Sequence, residues 1–175
     1  MDSKHPPNSS DRILTRFKKI VGILKTQKID GLLLNFEPNV TYAVGFHAPD
    51  AYGLITTSGI TLVTDFRYVA DFQAKTWGLV EIKQYHGSIF KTVAQEIRKR
   101  SLKHVGFESR HLSFAECEIF HQLLKNASQF IPLRETIEPL REVKDTQEIK
   151  SIKKAIAITQ KTFSYIRKFI KPRSR

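Results

Sequence analysis

The sequence predicts an α/β fold: a mixed, mostly parallel sheet of about six strands flanked by helices, followed by a long C-terminal helix. Three observations carry this. From Leu79 to Leu133 short apolar runs alternate with amphipathic helical stretches, the pattern of a parallel sheet with right-handed crossovers. Before them, YGLITTSGITLVTD, Tyr52 to Asp65, reads as a hairpin, which adds antiparallel strands. After them, an apolar stripe at helical spacing runs from Ile149 to Ile170.

Taken in order, residues 1–10 are polar and proline-bearing and are expected to form a disordered tail. Ser10 or Asp11 stands where a helix cap belongs. Ile13, Phe17, Ile20, Val21 and Leu24 then make one stripe that ends near Lys28. GLLL, Gly31 to Leu34, is a short continuous apolar run, as a buried strand is. FEPNVTYAVGF, Phe36 to Phe46, follows as a loop with one helical turn. In the hairpin, Leu54 and Ile55 lie on one arm, Ile60, Leu62 and Val63 on the other, and Ser58-Gly59 makes the turn. Arg67 to Thr76 reads as a helix and Leu79 to Gln84 as a strand.

A helix from Ser88 to about Ser101 carries Ile89, Phe90, Val93, Ala94 and Ile97 on one side, and the strand HVGF, His104 to Phe107, follows. Ser113 caps a second helix carrying Phe114, Cys117, Phe120 and Leu124, and the strand QFIPL, Gln129 to Leu133, closes the pattern. Residues 11–135 are therefore expected to form one domain. Residues 136–175 read as a linker and a helix capped by Asp145 or Thr146, with Glu148 completing a capping box. Its stripe is Ile149, Ile152, Ala155, Ile156, Thr159, Phe163, Ile166 and Ile170. That face needs a surface to cover it.

The composition is that of a folded chain: 41% of the 175 residues are hydrophobic and 26% charged, too apolar for disorder. No apolar run approaches the ~18 residues of a membrane span, and no apolar leader marks the start, so the expected location is cytoplasmic. The single cysteine, Cys117, excludes an internal disulfide. The net charge of +12 points at first to nucleic acid. However, 11 Lys/Arg and 3 Asp/Glu lie between Arg141 and Arg175, which places +8 of the charge there. The basicity belongs to the C-terminal helix, and the body lacks a basic patch interleaved with stacking aromatics. No nucleic-acid or membrane partner is expected.

Chemistry-bearing motifs are absent: there is no G-x-S-x-G, G-x-G-x-x-G or P-loop. Cys117 and His121 have the i, i+4 spacing of a metal pair, but a site takes three or four ligands. Cys117 lies on the apolar stripe and reads as a buried structural cysteine. His86, His104 and His111 are scattered near strand ends. No catalytic or metal residue is expected in this chain.

Four stretches carry a resemblance. Arg141, Lys144, Asp145, Glu148, Ile149 and Ala155 are similar to the segment joining the two domains of the creatinase, prolidase and aminopeptidase P family. Asn39, Tyr42, Gly45 and Phe46 match its Asn-x-x-Tyr-Leu-(Thr/Ser)-Gly-Phe stretch. Thr64 to Tyr68, TDFRY, resembles its Thr-Asp-x-Arg-Tyr, and Val105 to Glu108, VGFE, its strand ending in Gly-x-Glu. Order and spacing agree over nearly the whole chain after residue 10.

The resemblance implies a creatinase N-terminal-like, ribonuclease H-like domain of ~130 residues. In the family a pita-bread metallopeptidase domain follows and cleaves Xaa-Pro bonds with two divalent metal ions held by two Asp, one His and two Glu. All five ligands belong to that second domain. The C-terminal helix of this chain then corresponds to its first helix, which the family closes with Pro-Gly. Here Lys171-Pro172 is followed by Arg173-Ser174-Arg175, so the chain is expected to stop after that helix and to be inactive alone. The partners implied are a second copy and a missing or separately encoded catalytic domain.

In the resembling enzymes a loop of the N-terminal domain leans over the neighbour's active site. By position that loop carries Phe46 and His47 here, with Asn39 and Tyr42 shaping it. Asp65, Arg67 and Tyr68 are expected to be structural or interdomain, Arg67 pairing with Asp65, Asp71 or Glu108. A contrasting reading makes the Arg141–Arg175 helix a basic binding module for an acidic partner.

Overall fold

The computed structural model describes residues 7–76 and 78–170. It divides into two compact units, one up to Leu140 and one from Arg141 onward. The first unit holds one sheet of β1 (Gly31–Leu34), β2 (Tyr52–Thr56), β3 (Gly59–Thr64), β4 (Val80–Gln84), β5 (His104–Glu108) and β6 (Gln129–Leu133). The strands lie side by side in the order β4-β3-β2-β1-β5-β6. β1 pairs parallel with β5, β5 with β6 and β3 with β4, while β2 is antiparallel to both its neighbours. So β2 runs against the other five, whose carboxyl ends share one edge.

Helices cover both faces. α1 (Pro7–Thr26), α2 (Glu37–Val44) and α3 (Phe66–Lys75) bury Ile20, Leu24, Val40, Val44 and Phe72 against Leu32, Leu34, Ile55 and Leu62. α4 (Ile89–Lys99) and α5 (Phe114–Leu124) bury Val93, Ile97, Phe120 and Leu124 against Leu33, Leu54, Val63, Val105 and Phe130. Leu32 and Leu34 serve one layer and Leu33 the other because successive strand side chains alternate faces. That is why β1 reads as an unbroken apolar run.

Five expectations are corrected. α1 begins at Pro7, so residues 7–10 are helical; the rest of the expected tail, residues 1–6, lies outside the described residues. Phe36 to Phe46 is not a loop with one turn but the two-turn helix α2. Pro38 sits at its start, where the missing N–H leaves no intrahelical bond unmade. Gly45 ends it at φ +81°, and a Cβ there would lie 2.5 Å from Ile13 Cδ1.

The hairpin turn is Thr57-Ser58, because Thr56 pairs with Gly59, the first residue of β3. A Cβ at Gly59 would meet the Leu79 carbonyl at 2.9 Å, so the glycine serves the approach of the chain entering β4. Finally, residues 136–142 are not a bare linker. Thr136 and Ile137 are buried, and α6 (Glu138–Glu142) follows, with Leu140 packed on the first core layer. Phe114, expected on the buried stripe of α5, is 79% exposed at the helix's first position.

In the second unit α7 spans Thr146–Ile166. Its start is fixed by a capping box: Asp145 accepts from the amides of Gln147 and Glu148, and Glu148 accepts from the amide of Asp145. Ile152, Ile156 and Phe163 are 46%, 50% and 65% exposed. The Lys171-Pro172 ending lies outside the described residues.

Candidate functional site

β1 and β5 are parallel neighbours, but the helices that follow them, α2 and α5, pack on opposite faces. The two connections part, and a crevice opens at the carboxyl ends of the strands. This is the switch point where open α/β sheets place ligands.

Glu108 forms the floor of that crevice. It ends β5, is 2% exposed, and its Oε2 accepts from the amides of Asn35 and Phe36 at 2.7 and 2.9 Å. Its Oε1 accepts from Asn39 Nδ2. Burial pushes the Glu108 carboxyl above its usual range, and these three donors oppose the shift only in part. Asn39 also donates to Glu138 Oε1 at 3.0 Å. Glu138 accepts from the Thr136 amide at 3.0 Å, and His111 Nε2 lies 3.3 Å from its Oε1. Burial raises the Glu138 carboxyl, but the hydrogen bonds from its own amide, Asn39, Thr136 and His111 outweigh it and leave it below the usual range. Asn35 Nδ2 donates to the His111 carbonyl at 3.0 Å, and the Phe36 ring stacks on His111 at 3.8 Å. One polar knot thus joins the β1–α2 connection, the β5–α5 connection and α6.

Beside the knot lies a cleft of about 480 Å³ whose walls include Glu37, Asp50, Tyr52, Arg67, His111 and Glu116. Tyr52 Oη donates to Glu116 Oε1 at 3.0 Å. Burial, then the Glu116 charge, pushes the Tyr52 hydroxyl up. Across the cleft, the residues of TDFRY converge on Asp50. Thr64 donates to the Asp50 carbonyl at 3.2 Å, and Arg67 and Tyr68 donate to its carboxylate at 3.1 and 3.3 Å. Asp65 caps α3 by accepting from the Arg67 amide at 2.8 Å, and it also accepts from the Arg67 guanidinium. The guanidinium holds the Asp65 carboxyl below its usual range, and Asp65 raises Arg67 in return. Asp71 pairs with Lys75 instead, and Glu108 is taken by the knot.

Asp50, at φ +48°, ends the loop that carries Phe46 and His47, and no sequence signal singled it out. Phe46 is half-buried against Phe72, ring centroids 5.4 Å apart. His47 is exposed, with Nε2 2.8 Å from Glu37 Oε1. Tyr42 is buried under the Arg16 guanidinium, 4.2 Å from the ring centre, and Asn39 is wholly buried in the knot. The loop therefore presents His47 to solvent, while Asn39 and Tyr42 support it from below. Cys117 is half-buried, and burial raises its thiol; His121 meets Phe130 edge-on.

Among the described residues no three His, Cys, Asp or Glu converge as a metal site, so they do not fit a two-metal centre. No described helix is long and apolar enough to cross a membrane.

Comparison with known proteins agrees with this architecture. The model of the creatinase/prolidase N-terminal domain matches residues 16–143. A Bacillus subtilis protein described as uncharacterized peptidase YqhT is 28% identical over 157 residues, 90% of this chain and 44% of that protein. A solved Xaa-Pro dipeptidase from Bacillus anthracis superposes with a TM-score of 0.83 at 28% identity, covering 91% of this chain and 44% of its own. The N-terminal domain of the cytoplasmic peptidase PepQ from Mycobacterium tuberculosis covers 72% of this chain and 98% of its own, with a TM-score of 0.65. At 19% identity that likeness is one of fold. The chain spans less than half the length of YqhT and of the dipeptidase.

Proposed function

The chain belongs to the creatinase/prolidase N-terminal domain family, and on that premise we propose that it serves an Xaa-Pro peptidase as a non-catalytic domain for subunit association and substrate access. The observation that carries this reading is the coverage: 91% of this chain accounts for 44% of a dipeptidase. The remainder of such an enzyme is where a metallopeptidase body would lie, in the same polypeptide or another. The His47 loop supports the access role. It is exposed at its tip and tied at its base to Asp50, as a loop that positions a side chain over a neighbouring pocket must be.

Two assays test this. The purified chain with Mn²⁺, Co²⁺ or Zn²⁺ is expected to leave Xaa-Pro peptides intact, and chelator-sensitive turnover would refute the non-catalytic role. Added to a Bacillus Xaa-Pro peptidase body expressed without its own N-terminal domain, the chain should raise kcat/KM, and His47→Ala should lower that gain. No gain from the wild-type chain removes the access role.

A further inference from the structure

The two sides of α2 do different work. Glu37 and Thr41, four residues apart and so on one face, hold the loop that follows. Glu37 Oε1 lies 2.8 Å from His47 Nε2, and Thr41 Oγ1 accepts from the Ala48 amide at 3.2 Å. Asn39, midway between them and wholly buried, holds the helix. Its side-chain nitrogen carries two hydrogens. The two acceptors are carboxylates from different elements, Glu108 Oε1 at the end of β5 and Glu138 Oε1 at the start of α6. In a helix of only eight residues, a side chain fixed at this point fixes both loop contacts, because each lies within one turn of it.

Glu138 has a firm seat of its own. Its Oε2 accepts from the Thr136 amide at 3.0 Å. The residue between, Ile137, is fully buried in the first core layer, and Leu140 packs on the same layer. Glu138 also reaches α2 by a second route. His111 Nε2 lies 3.3 Å from Glu138 Oε1, and the His111 ring stacks on Phe36, the residue that caps α2. Asn39, Thr136 and His111 all lie outside the Phe46–Asp50 loop, so what Glu138 does to that loop passes through α2.

We infer that Glu138 is a positioning residue for the His47 loop: through Asn39, and through His111 and Phe36, it sets the seat of α2 and with it the place of the loop that α2 carries. The functional meaning rests on the access role proposed above; the coupling itself rests on the geometry. The link joins the loop to the last stretch of the first unit, from which the chain passes on to α7. What loosens residues 136–142 loosens the loop and, because coupling is reciprocal, what loosens α2 loosens residues 136–142.

Amide exchange of the whole chain, read residue by residue, tests this. The Gly45 amide donates to the Thr41 carbonyl at 2.9 Å and the Ala48 amide to the Thr41 hydroxyl, so both report local opening of the loop against α2. Glu138→Ala should speed exchange at both about tenfold, the worth of one charge-assisted hydrogen bond. Glu138→Gln, which keeps an acceptor oxygen for Asn39, should return most of that protection. His111→Leu cuts only the second route and should speed the same two amides by a smaller factor, about two- to threefold. In the other direction, Asn39→Ala should speed exchange of the Thr136 amide, whose acceptor is Glu138. A residue that merely stabilises the fold would leave Gly45 and Ala48 at the wild-type rate and speed only the amides of β2 and β3, which open with the whole unit. That result in Glu138→Ala overturns the inference and leaves the access role standing. A wild-type chain that gives no gain in kcat/KM removes the access role, while faster exchange at Gly45 and Ala48 still upholds the coupling.

Discussion

Replacing Glu108 with alanine tests how the crevice is held together. The carboxylate takes three donors, the amides of Asn35 and Phe36 and the Asn39 side chain. All three lie at the floor of the crevice, where Glu108 is 2% exposed. The variant leaves the two amides without this acceptor and returns Asn39 to Glu138 alone among the bonds of the knot. A buried hydrogen bond contributes about 1 kcal/mol net, and an abandoned buried donor costs about 1–3 kcal/mol. Three donors, relieved partly by water entering the space left by the side chain, put the loss at about 3–4 kcal/mol. That is a large share of the ~5–15 kcal/mol that holds a domain folded, and it lowers Tm by roughly 10–15 °C for a unit of this size. Glu108→Gln keeps the shape and one acceptor oxygen. Its amide nitrogen meets the Asn39 nitrogen, so it should lose about 1–2 kcal/mol. Urea unfolding followed by circular dichroism measures both, read as a change in midpoint at constant m. A loss under ~1 kcal/mol for the alanine variant would mean that water already serves these amides, and the knot would not be what holds α2 in place.

Arg67→Ala removes the link between Asp65 and Asp50, so the Phe46–Asp50 loop should be cut faster in limited proteolysis while the rest of the unit stays protected. Asp145→Ala deletes half of the α7 capping box and should cost about 1 kcal/mol of helix stability, visible as faster amide exchange in the first turn of α7 and unchanged exchange in the sheet. The pH dependence follows from the carboxylates. Folding raises Glu108 from its ordinary value of 4.5, so its stabilisation is complete below that pH and is lost as pH rises through the raised value. Folding lowers Glu138 and Asp65, so theirs is present above the ordinary carboxylate range and lost as pH falls through the lowered values. Urea midpoints between pH 4 and 8 should therefore fall less steeply on the alkaline side in Glu108→Gln than in the wild type, and an identical slope would refute the assignment.

The sheet was legible because its signals are local. β1, β2 and β3 are short, largely apolar runs set off by turn residues, and α4 and α5 carry their apolar residues at helical spacing under Ser88 and Ser113, both of which accept from a first-turn amide in the structure. The two helices that were missed share a different opening. α2 begins Glu37-Pro38 and α6 begins Glu138-Pro139. Proline in the first turn interrupts no hydrogen bond, yet in so short a segment it reads as a breaker. The dipeptide itself, an acid followed by proline ahead of a few apolar residues, was the signal: the acid suits the positive end of the helix dipole.

The site was less legible because its bonds span the chain. Asn39 meets Glu108 across 69 residues and Glu138 across 99, and no periodicity encodes such a pairing. TDFRY was singled out, but Asp50, the residue on which Thr64, Arg67 and Tyr68 converge, follows a proline in a loop with no pattern of its own. What the sequence did contain was a surplus: Glu108 is a carboxylate at the end of a strand whose three preceding residues, Val105 to Phe107, are apolar. A charge held at 2% exposure must be met by donors from elsewhere. In a parallel sheet the nearest amides beyond the ladder at a strand's carboxyl end belong to the connection leaving the neighbouring strand, here Asn35 and Phe36 after β1, and both donate to Glu108. The acid that ends β5 therefore selects the conformation of the loop after β1, starts α2 at Glu37, and through α2 sets where the His47 loop begins.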